Sequence, residues 1–348
     1  MSLITLFYRS IYTITGYKSS GRKGAQTKDE EVLVMEKVSG QKRKSRLRGW
    51  VFWPPFLVLL MVLILGFVSQ DAFLKVVNGV KDWIWGNFKW LFSGYGLAAV
   101  GVCFYACFSK FGNTVIGGKD AKPILGKFNW FAISLCTTIA AGLMFWAAAE
   151  PLYLMSDPSP FFDIEPNSPQ AAVFAMAQMY LHWGITPYAI YALAATVFAF
   201  TYYNMKKPFS LGACISPLLG ERATKGRLAD IIDALCIFIL CAGMSGSLST
   251  GAFSVAGGIS NITGIPTNGI MLIIVMAAII LVYTISASSG IMKGIKWLSS
   301  FNVYIFSFLI LFIFLFGPTK FILNFGVESV GELMDSFFMR NLFTDSMN

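Results

Sequence analysis

The chain is 348 residues long, 56% hydrophobic and 13% charged, with a formal net charge of +9. Soluble domains carry roughly 25% charged residues, and no single core of this size can hide so much apolar surface, so a water-soluble globule is excluded. The positive charge does not argue for nucleic acid. Five basic residues (Lys42, Arg43, Lys44, Arg46 and Arg48) stand together ahead of the first apolar run, where each gains about 1 kcal/mol beside anionic lipid, and no nucleic-acid-binding signature accompanies them.

Residues 1–49 read as a basic cytoplasmic tail, polar and disordered from about residue 18. The apolar stretch within 1–17 lacks the basic start and small-residue cleavage site of a signal peptide. A bilayer core about 30 Å thick asks for roughly 20 apolar residues per helix. Seven segments qualify: 53–68, 90–108, 130–154, 171–203, 231–260, 269–287 and 301–317. An all-α membrane protein with seven transmembrane helices is the expected fold class.

The loops set the orientation. With the N-terminus inside, the cytoplasmic loops carry Lys110, Lys119, Lys122 and Lys127, then Lys206, Lys207, Arg222, Lys225 and Arg227, then Lys293 and Lys296. The outside loops after the third and fifth spans carry no Lys or Arg, and the first outside loop offsets Lys75, Lys81 and Lys89 with Asp71 and Asp82. This follows the positive-inside rule and places the protein in the inner (plasma) membrane. After the seventh span, Val327, Val330, Leu333, Met334, Phe337, Phe338 and Leu342 recur at helical spacing, predicting an amphipathic surface helix over 327–343.

Three spans carry unusual residues. The third reads Thr137-Thr138-Ile139-Ala140-Ala141-Gly142, then Phe145-Trp146, and ends on Glu150-Pro151. Its small residues permit close backbone approach. The segment is either an interrupted helix at a substrate site or a tightly packed helix with Glu150 emerging at the outer interface. The fourth span carries His182-Trp183, Pro187-Tyr188 and Tyr191. Inward aromatic faces attract a cation lacking N–H donors, at about 0.5–2 kcal/mol each, although plain aromatic packing produces the same pattern. His182 is the one histidine, which excludes a multi-histidine metal site and reads as a buried, hydrogen-bonded residue rather than a proton relay. The fifth span, Gly243-Met244-Ser245-Gly246-Ser247-Leu248-Ser249-Thr250-Gly251, implies burial in a bundle with hydroxyls bonding across helices or to backbone. Asp230 and Asp233 open that span, where negative charge suits a helix N-terminus. The six cysteines have no metal or disulfide spacing. No nucleophile elbow, phosphate loop or ligand cluster supports an enzyme, and no cofactor is expected.

These motifs together resemble the betaine/choline/carnitine transporters. The resemblance is carried by Gly142-Leu-Met-Phe-Trp146 with Glu150-Pro151-Leu152, by His182-Trp183 with Pro187-Tyr188-Ala-Ile-Tyr191, by Ser216-Pro-Leu-Leu-Gly-Glu221, and by Ser289-Gly290 with Lys293-Gly294-Ile295. It implies a LeuT-like fold: two peripheral helices over 50–110, a first five-helix inverted repeat over 130–318, and a second repeat that is missing here. It implies uptake of a quaternary ammonium or related osmolyte such as glycine betaine, choline or carnitine, often as a homotrimer. Trp183 would wall the substrate box, Tyr188 and Tyr191 would line the path, and Ala140, Ala141, Gly142 and Phe145 would supply backbone and one ring face.

The chain departs from the pattern where Thr138 and Ala140 replace glycines, and where Leu240 and Met244 replace threonines of a sodium site. That sodium site is therefore expected to be lost or altered. Without a second repeat, a midplane site cannot close, so the 348 residues are expected to be inactive alone. The alternatives are a non-transporting membrane remnant or interaction subunit, and an amino-acid transporter on the same scaffold.

Overall fold

A computed structural model describes residues 48–123, 125–138, 141–289 and 294–344, and for Ala141, Gly142 and Leu143 the backbone only. The disordered tail read over 18–49 therefore lies almost wholly outside the described residues, as do Ala140, Gly290 and Lys293. Among the described residues the chain is helical, without strands. The long helices are α1 (Gly49–Val68), α2 (Gln70–Phe108), α3 (Lys127–Thr138), α4 (Ala141–Ser156), α5 (Pro169–His182), α6 (Ile185–Ala199), α7 (Arg227–Thr263), α8 (Gly269–Ser288), α9 (Lys296–Phe316) and α10 (Thr319–Leu342).

Six helical stretches among these residues are long and apolar enough to cross a bilayer: α1, α2, Pro169–Asn204 (α5, α6 and a π-helical turn), α7, α8 and α9. The expected third span, 130–154, is helical wherever it is described, over Lys127–Thr138 (α3) and Ala141–Ser156 (α4), with residues 139 and 140 outside the described residues. The expected outside loop of residues 69–89 is also helical. Only Ser69 separates α1 from α2, whose 39 residues extend roughly 58 Å at 1.5 Å per residue. No proline interrupts Gln70–Phe108, so nothing in that segment stops a helix at the membrane edge.

Contacts group the described chain into two units. The smaller comprises residues 48–69, Lys110–Lys122 and Phe198–Ile239. There Arg48 pairs with Asp233 at 2.7 Å and also with Asp230, so this last member of the basic cluster is held by the acids at the start of α7 rather than left for lipid. The carboxylates are fixed neighbours, whereas a lipid headgroup must be ordered to serve. Ser210 donates to Asp233, and Asn204 clamps the 115–117 turn by accepting from Gly117 N–H (2.8 Å) and donating to Val115 C=O (2.9 Å). In the same unit, burial pushes the Cys214 thiol pKa up, and the nearby Cys236 adds to the effect.

The larger unit holds Gln70–Ser109, Pro123–Val197 and residues 240–344. Its helices pair through small residues. Ala99 and Val100 of α2 pack on Ala189 of α6, and a Cβ on Gly96 would lie 3.1 Å from Thr186 Cγ2. Ala132 of α3 is buried where that helix meets α9, with Phe128 stacked on Tyr304 at 5.1 Å. Ala252 and Ala256 of α7 bury Val275 of α8.

The rest of the glycine-serine segment is not buried as its composition suggested. Ser245, Ser249 and Ser254 donate to the carbonyls of Cys241, Ser245 and Thr250, one turn back, at 2.8–2.9 Å, so the hydroxyls are satisfied within their own helix. A Cβ on Gly243, Gly246, Gly257 or Gly258 would meet open space.

One long span breaks in its middle. α5 stops at His182 and α6 starts at Ile185. Pro187 has no N–H for the Trp183 carbonyl four residues back, and its ring crowds that carbonyl. At Gly184 a Cβ would collide with the Tyr180 carbonyl oxygen, so the bend requires glycine. Gly184→Ala accordingly lowers stability by about 2–3 kcal/mol in thermal unfolding of the detergent-solubilised protein. Gly79→Ala, at a helical glycine with open space around it, is neutral or slightly stabilising.

Candidate functional site

The α5–α6 break leaves Trp183 and His182 at a helix end, and both side chains turn to α4. Trp183 Nε1–H donates to Glu150 Oε2 at 2.7 Å, and His182 Nδ1 bonds the other oxygen, Oε1. Glu150 is thus not a free interfacial carboxylate, since 14% of its side chain is exposed and it receives two donors from another helix. His182 is hydrogen-bonded as expected, but 48% of its side chain is exposed rather than buried.

The same network continues into α10. Gln178 Nε2 lies 3.0 Å from His182 Nε2, and Gln178 Oε1 accepts from Arg340 at 3.0 Å. Arg340 also donates to Glu332 at 2.6 Å and to Ser336. With 1% of its side chain exposed, the guanidinium lies 4.6 Å from the Phe174 ring centroid and 5.7 Å from that of Phe162. A buried cation is tolerated only when paired and hydrogen-bonded, and here each of its three nitrogens donates a hydrogen bond. Asn341 adds a bond from Thr186 of α6 at 2.8 Å.

α10 differs from a simple amphipathic helix. Leu333 and Phe337 face Ala177, Tyr180 and Leu181 of α5, beside the buried polar residues Ser329, Arg340 and Asn341. Val327, Val330, Met334 and Phe338 form a separate exposed apolar stripe at helical spacing.

The other expected site residues fall as follows. Tyr188 O–H donates to the Thr138 carbonyl at 3.3 Å, tying α6 to α3. Phe145 is half-buried and meets Trp146 edge-to-face at 5.2 Å. Tyr191 is exposed. Ala141 and Gly142 are helical, within α4. Among the described residues no group of three or more His, Cys, Asp or Glu is placed to hold a metal.

Sequence reasoning missed Gln178, Glu332 and Arg340. The available signal was a single arginine among phenylalanines near the end of an apolar helix, with a glutamate eight residues earlier.

The fold and this site define a multi-pass α-helical membrane protein with a polar network at the break between α5 and α6. Residues 50–348 match BCCT, the betaine/carnitine/choline family of transporters, and the chain belongs to that family, whose members are transporters rather than enzymes. It is 32% identical over 288 residues to the glycine betaine transporter OpuD of Bacillus subtilis, covering 82% of this chain and 55% of that protein. It is 29% identical to the ectoine/hydroxyectoine transporter of Virgibacillus pantothenticus, covering 84% of this chain and 58% of that one. The osmo-dependent choline transporter BetT2 of Acinetobacter baylyi is also 29% identical, with 84% of this chain and 42% of that protein covered. The chain spans about half the length of the curated relatives it matches.

Proposed function

We propose that this chain forms one side of a secondary-transport path for a compact osmolyte of the glycine betaine, choline, carnitine or ectoine type. It would lie in the inner membrane with its N-terminus in the cytoplasm. In this reading α3 and α4 together cross the membrane as the third of seven spans, within a LeuT-like first repeat, and the complete assembly is a homotrimer. The loop lysines and arginines support the orientation. The break between α5 and α6 resembles the discontinuous helices that build transporter sites.

The observation that carries the solute chemistry is Trp183 at the α5–α6 break with its N–H bonded to Glu150. The bond fixes the indole plane and polarises the ring, which makes its faces a better surface for an onium group. Leu240 and Met244 offer no side-chain oxygen to a sodium ion, which supports a transporter without that site.

The test is uptake of labelled glycine betaine, choline and ectoine, with and without sodium, in cells lacking osmolyte uptake. Cells making the 348 residues alone accumulate nothing above background. Cells making a fusion of this chain to the remaining half of the Bacillus subtilis relative accumulate at least one of these solutes. Uptake by the chain alone contradicts the one-sided path, and a well-expressed fusion that carries only ordinary amino acids contradicts the osmolyte reading.

A further inference from the structure

The network from α10 to Trp183 has a fixed direction, which follows from the donor inventory alone. Arginine can only donate. The Gln178 atom facing Arg340 must therefore be the carbonyl oxygen, which removes the usual ambiguity of an amide flip. Gln178 then presents its NH2 group to His182 Nε2, so that nitrogen must accept and carries no proton. The ring proton sits on Nδ1, where it donates to Glu150 Oε1. The second oxygen of the same carboxylate accepts from the Trp183 indole. A cation buried against α5 thus dictates, through three side chains, which nitrogen of the sole histidine is protonated.

We propose that Arg340 and Gln178 are positioning residues that hold His182 as the neutral Nδ1–H tautomer and, through it, aim the Glu150 carboxylate at the Trp183 indole. The importance of this for transport rests on the reading of Trp183 given above, but the tautomer does not. The groups around His182 are Glu150 on α4, Gln178 on its own helix α5, and Arg340 with Glu332 behind Gln178 on α10. Breaking the chain at Arg340 frees the amide to rotate, and both imidazole tautomers then become available. Replacing Gln178 by glutamate has a different result. A carboxylate accepts from Arg340 but has no proton for His182, so the imidazole must protonate on both nitrogens to bond Glu150 and residue 178 together.

Because His182 is the only histidine, 15N-histidine labelling of the full chain, purified through a histidine-free tag into lipid nanodiscs, reports on this one ring. The wild-type protein at neutral pH shows a protonated Nδ1 and a bare Nε2. Gln178→Glu shows an imidazolium at the same pH, and Arg340→Met shows loss of the single tautomer. In a second sample labelled with 15N-tryptophan, the indole 15Nε1–H signal of Trp183, identified by its disappearance in Trp183→Phe, shifts in Arg340→Met. A wild-type Nε2–H tautomer or imidazolium overturns the proposal, as does an unchanged ring in Gln178→Glu. An indole signal unmoved by Arg340→Met overturns the transmission to Trp183. Should Arg340→Met fail to fold, the wild-type and Gln178→Glu spectra still decide. Uptake by the fusion that survives Trp183→Leu sinks the solute role of the indole and leaves the tautomer result standing, so the two failures are distinguishable.

Discussion

Leucine at position 183 lowers osmolyte uptake by the fusion transporter about a hundredfold, measured as initial rates at matched surface expression. Two losses combine. An onium group loses an aromatic face worth about 0.5–2 kcal/mol, and the Glu150 carboxylate loses a hydrogen bond worth about 1.5–3 kcal/mol for a charged acceptor. Together they come to about 2–5 kcal/mol, a range that includes the roughly 2.8 kcal/mol of a hundredfold change. Trp183→Phe separates the two, because phenylalanine keeps a ring face but has no N–H. It retains more uptake than leucine, with a deficit of about tenfold from the untethered ring and the exposed lone pair on Glu150. Equal loss in both variants would mean that the N–H bond alone matters, and equal retention would mean that the indole is not on the solute path.

Glu150→Gln destabilises the folded protein by about 2–4 kcal/mol, read from thermal unfolding in detergent. The substitution preserves shape but leaves one acceptor oxygen where two donors converge, Trp183 Nε1–H and the His182 Nδ1 proton. One of them must then face an NH2 group, which adds a donor–donor clash to a lost bond. Glu150→Ala removes the clash with the acceptor and orphans both donors, so its cost is similar. Stability unchanged in either variant would show that α4 is not anchored to the α5–α6 break through this carboxylate.

The membrane character and most helix positions were legible because the bilayer imposes a length on each apolar run that a single sequence displays. α1, α8 and α9 agree closely with the predicted spans. The departures have local causes. Residues 70–89 look like a loop by hydropathy, yet without proline they continue the helix of α2. The glycine-serine run of α7 suggests burial by composition, but its hydroxyls bond to their own helix and only Gly251, Ala252 and Ala256 lie buried in that stretch.

The site was legible only in part. The aromatic residues at 183, 188 and 191 and the proline among them could be picked out from one helix, since the break and its ring-bearing side chains are encoded within a few turns. Their partners could not. Glu150 lies 33 residues before Trp183, and Arg340 lies 162 residues after Gln178, and nothing in a lone sequence states which distant polar groups meet. What the sequence alone determined here was local: apolar length, loop charge, the proline at 187 among the aromatic residues, and the motifs that carry the family resemblance. Tertiary structure decided which donor faces which acceptor, because a hydrogen bond depends on the approach of two helices to within 3 Å, and packing over the whole unit sets that approach.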